Sequence, residues 1–100
     1  MAISARNVFK GSISAVKLLQ VMENVQHVFA IEALTAAQAL DYRLPLRPGR
    51  GVELAHRLIR ERVPHREGDY LFQDDLAPSG ELIRSSALQV AVEKGGCPLD

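Results

Sequence analysis

From Ile13 to Tyr42 the sequence runs for 30 residues without a glycine or a proline: ISAVKLLQVMENVQHVFAIEALTAAQALDY. Good helix formers dominate the stretch, and nothing inside it interrupts an i to i−4 hydrogen-bond ladder. As a continuous helix it is about 45 Å long at ~1.5 Å per residue. That is too long for one wall of a compact globule of 100 residues.

On a helical wheel, Lys17, Gln20, Glu23, Asn24, His27, Thr35, Gln38 and Asp41 share one sector, about a third of the circumference wide at ~100° per residue. The other two-thirds carries large aliphatic residues and Phe29, with alanines gathered in the second half at 30, 33, 36, 37 and 39. A helix that packs on one neighbour needs a narrower stripe, so this one needs neighbours on at least two sides. The alanines leave room for another helix to approach closely. The pattern predicts a helix from the interior of a bundle, in which Leu34→Glu would disrupt assembly and Gln20→Glu would not.

The start falls at Gly11 with Ser12 or Ser14 as N-cap, and the end near Arg43, because Pro45 turns Leu44 away from helical geometry. The long helix is thus expected over 13–43. A second helix is expected over 52–63, with Val52, Ala55, Leu58, Ile59 and Val63 at helical spacing and Pro64 closing it. Short helices follow over 76–94. Asp75 is the natural N-cap of the first, with Pro78 in its opening turn, and Ser86 with Gln89 has capping-box spacing for the second. Gly95-Gly96 and Pro98 stop it. Between these elements, Tyr70-Leu71-Phe72 is an apolar insert expected to tuck against the bundle. No strand signal of useful length occurs. The class is all-α, one long bundle-forming helix followed by shorter ones, expected to pack in an oligomeric bundle.

Composition narrows the function classes. Twelve Lys plus Arg balance twelve Asp plus Glu, which speaks against a nucleic-acid partner. No run approaches the ~20 apolar residues of a membrane span, and MAISARNVFKGS lacks a signal peptide's apolar core. The single Cys97 implies a reducing, cytoplasmic setting.

Candidate chemistry is sparse. His27, His56 and His65 form no close metal-ligand pair. His27, in the polar sector, reads as solvated or hydrogen-bonded. Glu32 lies on the apolar side of the long helix, where a carboxylate must find a partner or change its pKa, and a salt bridge or hydrogen bond to a neighbouring helix is the favoured outcome. Arg47 and Arg50 flank a PGRG turn that would suit an anion, without a phosphate-loop pattern. Arg57, Arg60, Arg62 and Arg66 interleave with Glu53, Glu61 and Glu67 as a salt-laced solvent face. Asp74-Asp75 is explained by helix capping. No nucleophile–base pair can be assembled.

One string is informative beyond its chemistry. Glu23-Asn24-Val25, then Phe29-Ala30-Ile31-Glu32-Ala33-Leu34, then Ala36-Ala37-Gln38-Ala39-Leu40-Asp41-Tyr42-Arg43, resembles the late part of the histidine and aromatic amino-acid ammonia-lyases. Their pattern runs E-N-V-x-x-V-L-A-I-E-L-L-A-A-A-Q-A-L-D-x-R. The similarity continues through Pro45-Leu46-x-Pro48-Gly49-x-Gly51 and Leu58-Ile59-Arg60-Glu61-Arg62-Val63-Pro64. Gly68-Asp69, Asp74-Asp75 and Glu81-Leu82-Ile83 are similar to the family's closing segment, and Ile3-Ser4-Ala5-Arg6 to its I-S-A-R.

The resemblance implies a mostly helical homotetrameric parent that eliminates ammonia from histidine, phenylalanine or tyrosine, or in aminomutase branches shifts the amino group. Its electrophile is a 4-methylidene-imidazol-5-one made from an internal Ala-Ser-Gly. This chain has no Ala-Ser-Gly, and Pro78-Ser79-Gly80 reads as a helix start. The family's catalytic residues lie earlier in the protein, so no catalytic, cofactor-binding or metal-binding residue carries over. Residues 1–100 are therefore expected to be one C-terminal helical segment of a lyase-like protein. It would supply bundle and oligomer contacts, carry no cofactor of its own and be catalytically incomplete alone. Its partners would be further copies or the remainder of a lyase. The alternative is a stand-alone oligomerisation or scaffolding protein derived from the lyase tail. Whether the chain is itself an enzyme, and on which amino acid the parent acts, stay open.

Overall fold

The computed structural model describes residues 4–99. Four helices follow in order: α1 (Ala5–Asp41), α2 (Arg50–Arg62), α3 (Gln73–Arg84) and α4 (Ala87–Lys94), with no strand among the described residues.

α1 has 37 residues and starts well before the expected position. Ser4 caps it, its Oγ accepting the Asn7 N–H at 3.3 Å. The helix runs straight through Gly11, because one glycine costs only about 1 kcal/mol relative to alanine. That is too little to stop a helix capped upstream and continued far downstream. Ser12 does not cap; its hydroxyl donates to the Val8 carbonyl at 3.1 Å. Tyr42 closes the helix, next to Pro45 as the sequence indicates. At ~1.5 Å per residue α1 is about 55 Å long, and it sets the shape of the protein, 64 × 36 × 17 Å. The radius of gyration is 18.5 Å, against about 13 Å for a compact chain of this length. The accessible surface is 7809 Å², about 2,200 Å² more than a compact monomer of this mass exposes.

α2 and α3 pack directly on α1, with Arg84 of α3 beside Leu19, Met22 and His27, and α4 joins through α2 and α3. α3 makes the most extensive contact with α1, and α4 packs chiefly on α2. Ala37, Ile59 and Leu82 form the core, with Ala33, Leu34, Leu58, Ala87 and Leu88 packed against it. Ala30 and Ala37 are 0% and 1% exposed, and α3 buries the small Ser79 and Gly80. Small residues on both helices thus let the backbones come close, the role expected of the alanines. Leu34, however, belongs to this internal core, so Leu34→Glu would unsettle the chain's own fold as well as any assembly. Gly95 is fixed by packing, because a Cβ there would overlap Leu54 Cδ1.

Several local expectations change. α3 begins at Gln73 and Asp75 does not cap it; Asp75 is buried within the first turn, where it accepts hydrogen bonds from Arg66. Pro78 consequently falls in the second turn. Ser86 adopts φ 57° and makes no side-chain cap, while Gln89 donates to Glu93 at 3.1 Å instead of closing a capping box. Only Tyr70 of the apolar insert tucks in; Leu71 and Phe72 are 72% and 63% exposed. No helix among the described residues is long and apolar enough to cross a membrane.

Candidate functional site

The densest polar cluster is built on Asp41, the last residue of α1. Gln38 and Asp41 are three residues apart and share a face of α1; His56 and Arg60 are four apart and share a face of α2. Packing these faces together directs two donors at one carboxylate. His56 Nε2 lies 2.6 Å from Asp41 Oδ1. Arg60 grips Oδ2 through Nε at 2.9 Å and Nη2 at 2.7 Å. The connection between α2 and α3 adds His65, whose Nδ1 is 2.7 Å from the same oxygen. Facing a carboxylate, each imidazole nitrogen must carry its proton there, which assigns the Nε2–H form to a neutral His56 and the Nδ1–H form to a neutral His65.

A second layer fixes the first. Arg60 Nη1 donates to the Val63 carbonyl at 2.9 Å, and Nη2 donates to Gln38 Oε1 at 3.2 Å. Gln38 Nε2 in turn donates to the Arg66 carbonyl at 2.7 Å. Tyr42 meets the His65 ring edge to face, with centroids 5.6 Å apart. Arg66 then forks onto buried Asp75 at 2.9 and 3.3 Å and lies 5.2 Å from the centre of the Tyr70 ring. The loop between α2 and α3 is thereby held to both α1 and α3.

The electrostatics follow from this geometry. Burial would by itself raise the Asp41 pKa, but hydrogen bonds from His65, Arg60 and His56, helped by the Arg60 charge, hold it below its ordinary value of 3.8. The Asp75 hydrogen bond raises Arg66 further above its ordinary value. Burial, then the neighbouring Asp75 charge, pushes the Tyr70 phenol upward.

Beside the hub a cavity of about 700 Å³ opens between the end of α1, the end of α2 and the loop that follows. Its walls are mainly apolar, and its two arginines, Arg60 and Arg66, are both committed to carboxylates. The hub presents no nucleophile to its imidazoles, and the Arg60 guanidinium sits where a cation would need the carboxylate. Among the described residues no cluster of His, Cys, Asp and Glu is placed to hold a metal ion. Chemically, the arrangement is a clasp between α1, α2 and the connection to α3.

The sequence places Asp41 in the polar sector of the long helix and Arg60 and Arg66 on a solvent face; in the structure all three are paired within the chain. The paired spacings 38/41 and 56/60 were the available signal. His27 stays exposed, as expected of a solvated residue. Glu32 is also exposed and has no hydrogen-bond or salt-bridge partner among the described residues. Arg47 meets Glu53 loosely, at 3.5 Å.

The sequence matches the model for "Aromatic amino acid lyase" over residues 7–61, a segment that includes Gln38, Asp41, His56 and Arg60. It is 52% identical over 94 residues to histidine ammonia-lyase of Sorangium cellulosum, covering 94% of this chain and 18% of that protein. Histidine ammonia-lyase of Anaeromyxobacter dehalogenans is 45% identical over 84 residues, 84% of this chain and 16% of the relative. The Myxococcus xanthus enzyme of the same name is 42% identical over 86 residues, 86% of this chain and 17% of the relative. The chain thus spans less than a fifth of the length of these relatives. No solved structure matches it significantly.

Proposed function

The chain belongs to the aromatic amino acid lyase family, and from that premise we propose that it serves as the bundle-forming part of a histidine ammonia-lyase-type enzyme. The parent reaction is the elimination of ammonia from L-histidine to give urocanate. In this reading α1 contributes a helix to a bundle made with further copies or with the remainder of the lyase. The Asp41 clasp holds the three short helices at its end. The observation that carries the reading is the exposure of α1: every large apolar side chain from Val8 to Phe29 is at least 41% exposed. Single exposed leucines are ordinary, but an apolar surface this continuous marks an interface.

The electrophile is proposed to come from another part of the lyase. Pro78-Ser79-Gly80 does not fit as its source, because it lies inside the continuous helix α3 with Ser79 buried. Its backbone is therefore held in helical geometry, not folded back for a ring-forming attack. A cytoplasmic setting belongs to the same proposal and fits Cys97 as a free thiol.

The test is complementation. A histidine ammonia-lyase polypeptide lacking the matched segment is produced with and without this chain, and urocanate is followed by its ultraviolet absorbance. Turnover is expected only when both are present. Urocanate formation by the purified chain alone would overturn the proposal. Stable assembly without complementation would favour a stand-alone scaffolding role.

A further inference from the structure

The cavity beside the clasp has the dimensions of a small-molecule site. Its volume of about 700 Å³ falls within the roughly 300–1,000 Å³ usual for such sites. α1, α2, the loop that follows and α3 all contribute walls, so this chain alone shapes the concavity. Ile31 and Leu34 supply apolar wall, and Tyr42, Tyr70 and Phe72 bring three aromatic rings to the same place. Tyr42 and Phe72 are 71% and 63% exposed, although a ring of that size is costly to leave in water. Tyr70 and Phe72 have centroids 4.5 Å apart and planes inclined at 43°. A flat ring stacked against them would bury apolar area on both partners.

Charge decides what else the ligand carries. No Asp or Glu lines the cavity, whereas Arg60 and Arg66 both do. Arg60 has every nitrogen engaged, on Asp41, Gln38 and the Val63 carbonyl. Arg66 forks onto Asp75 through Nε and Nη2 only, so its Nη1 has no partner among the described residues. The Arg66 side chain is 38% exposed, and its guanidinium carbon lies 5.2 Å from the centre of the Tyr70 ring. A cation with a spare N–H edge thus stands beside an aromatic surface.

We propose that this cavity binds a flat aromatic carboxylate of one or two rings. The rings stack among Tyr42, Tyr70 and Phe72, and the carboxylate accepts a charge-assisted hydrogen bond from Arg66 Nη1. The two arginines repel an amine, and an uncharged aromatic ligand forgoes the guanidinium. The inference is independent of the lyase reading, because it uses only walls that this chain supplies.

The probe is 2-naphthoate, titrated against the natural chain by calorimetry. One saturable site is expected, with a Kd of about 1 mM or tighter for a ligand of this size. Neutral 2-naphthamide keeps the rings and should bind about tenfold more weakly. The charge is tested on the ligand because Arg66→Gln would also unpair buried Asp75. Phe72→Ala, at an exposed side chain, should weaken 2-naphthoate several-fold while urea denaturation stays that of the natural chain. Nuclear Overhauser contacts from the ligand should reach Tyr42, Tyr70 and Phe72. Contacts confined to Phe9 and Phe29 would mean adsorption on the bare part of α1 and would overturn the site. Equal affinity for the amide would remove the carboxylate, and no saturation at ten times the expected Kd would remove the site. The rest of a longer polypeptide is the competing occupant. If the complementing lyase polypeptide displaces 2-naphthoate from the chain, the cavity is a protein contact and the proposal falls. Complementation itself is read by urocanate, so its failure leaves the ligand result intact.

Discussion

The two portions of α1 obey the same local rules and reach opposite outcomes. Beyond residue 29, Ala30, Ala33, Leu34 and Ala37 are covered within the chain, where α2 and α3 pack on α1, and its polar residues Gln38 and Asp41 are saturated with partners. Before that point, large apolar side chains stand in water on nearly every side. Helix formation needs only neighbours along the chain, whereas burial needs neighbours from elsewhere. One hundred residues supply enough of them for only part of this helix. The difference locates self-sufficiency at one end and dependence on other helices at the other.

The strongest way to break the comparison is to attack the self-sufficient end. Asp41→Ala strips His56, Arg60 and His65 of their shared acceptor and leaves a half-buried guanidinium unbalanced. A loss of about 3 kcal/mol is expected, measured by urea denaturation. The same carboxylate predicts a pH dependence. Its folded pKa is lowered, so its contribution is fully present above the unfolded value near 3.8 and is lost as pH falls through the lower folded value. Denaturation midpoints of the parent chain should fall in that acid window, and Asp41→Asn should remove the part due to this group.

At the dependent end the expectation reverses. Val25→Glu puts a charge on the exposed apolar surface of α1 and should weaken its association with other helices by about 30-fold or more, corresponding to roughly 2 kcal/mol, with the denaturation of the short-helix body unchanged. Sedimentation equilibrium reads the first and urea the second; a change in both would erase the distinction between the two portions.

Smaller changes sharpen the boundary. Gly95→Ala forces Leu54 aside and should cost about 1 kcal/mol, the low end for overpacking because the obstructing atom is the tip of a flexible side chain. Hydrogen exchange should quicken in α4 before it does in α1. Gly11→Ala meets open space and should stabilise the first turns of α1 by up to about 1 kcal/mol, seen as a gain in helical circular dichroism without a change in the body's denaturation.

What was legible in the sequence is what depends on near neighbours. Thirty residues without a breaker specify a helix, and alanines at 30, 33 and 37 announce close packing in its second half. The helix starts were less legible, because Ser4, Ser86 and Asp75 compete for roles that only the surrounding fold assigns. Asp75 has the chemistry of a cap, yet Arg66 arrives from nine residues away and claims it. The hub was least legible. Asp41 meets partners 15, 19 and 24 residues distant, and no local spacing records such separations.

The sequence by itself thus determined the helical class, the family and the excess of apolar surface, since each is written in periodicity or in a contiguous string. Only the tertiary structure decided which polar residues are solvated and which are buried together. It also showed which part of α1 the chain covers for itself. Charge and hydrophobicity belong to single residues, but desolvation and pairing belong to the space between helices, and that space exists only after they pack.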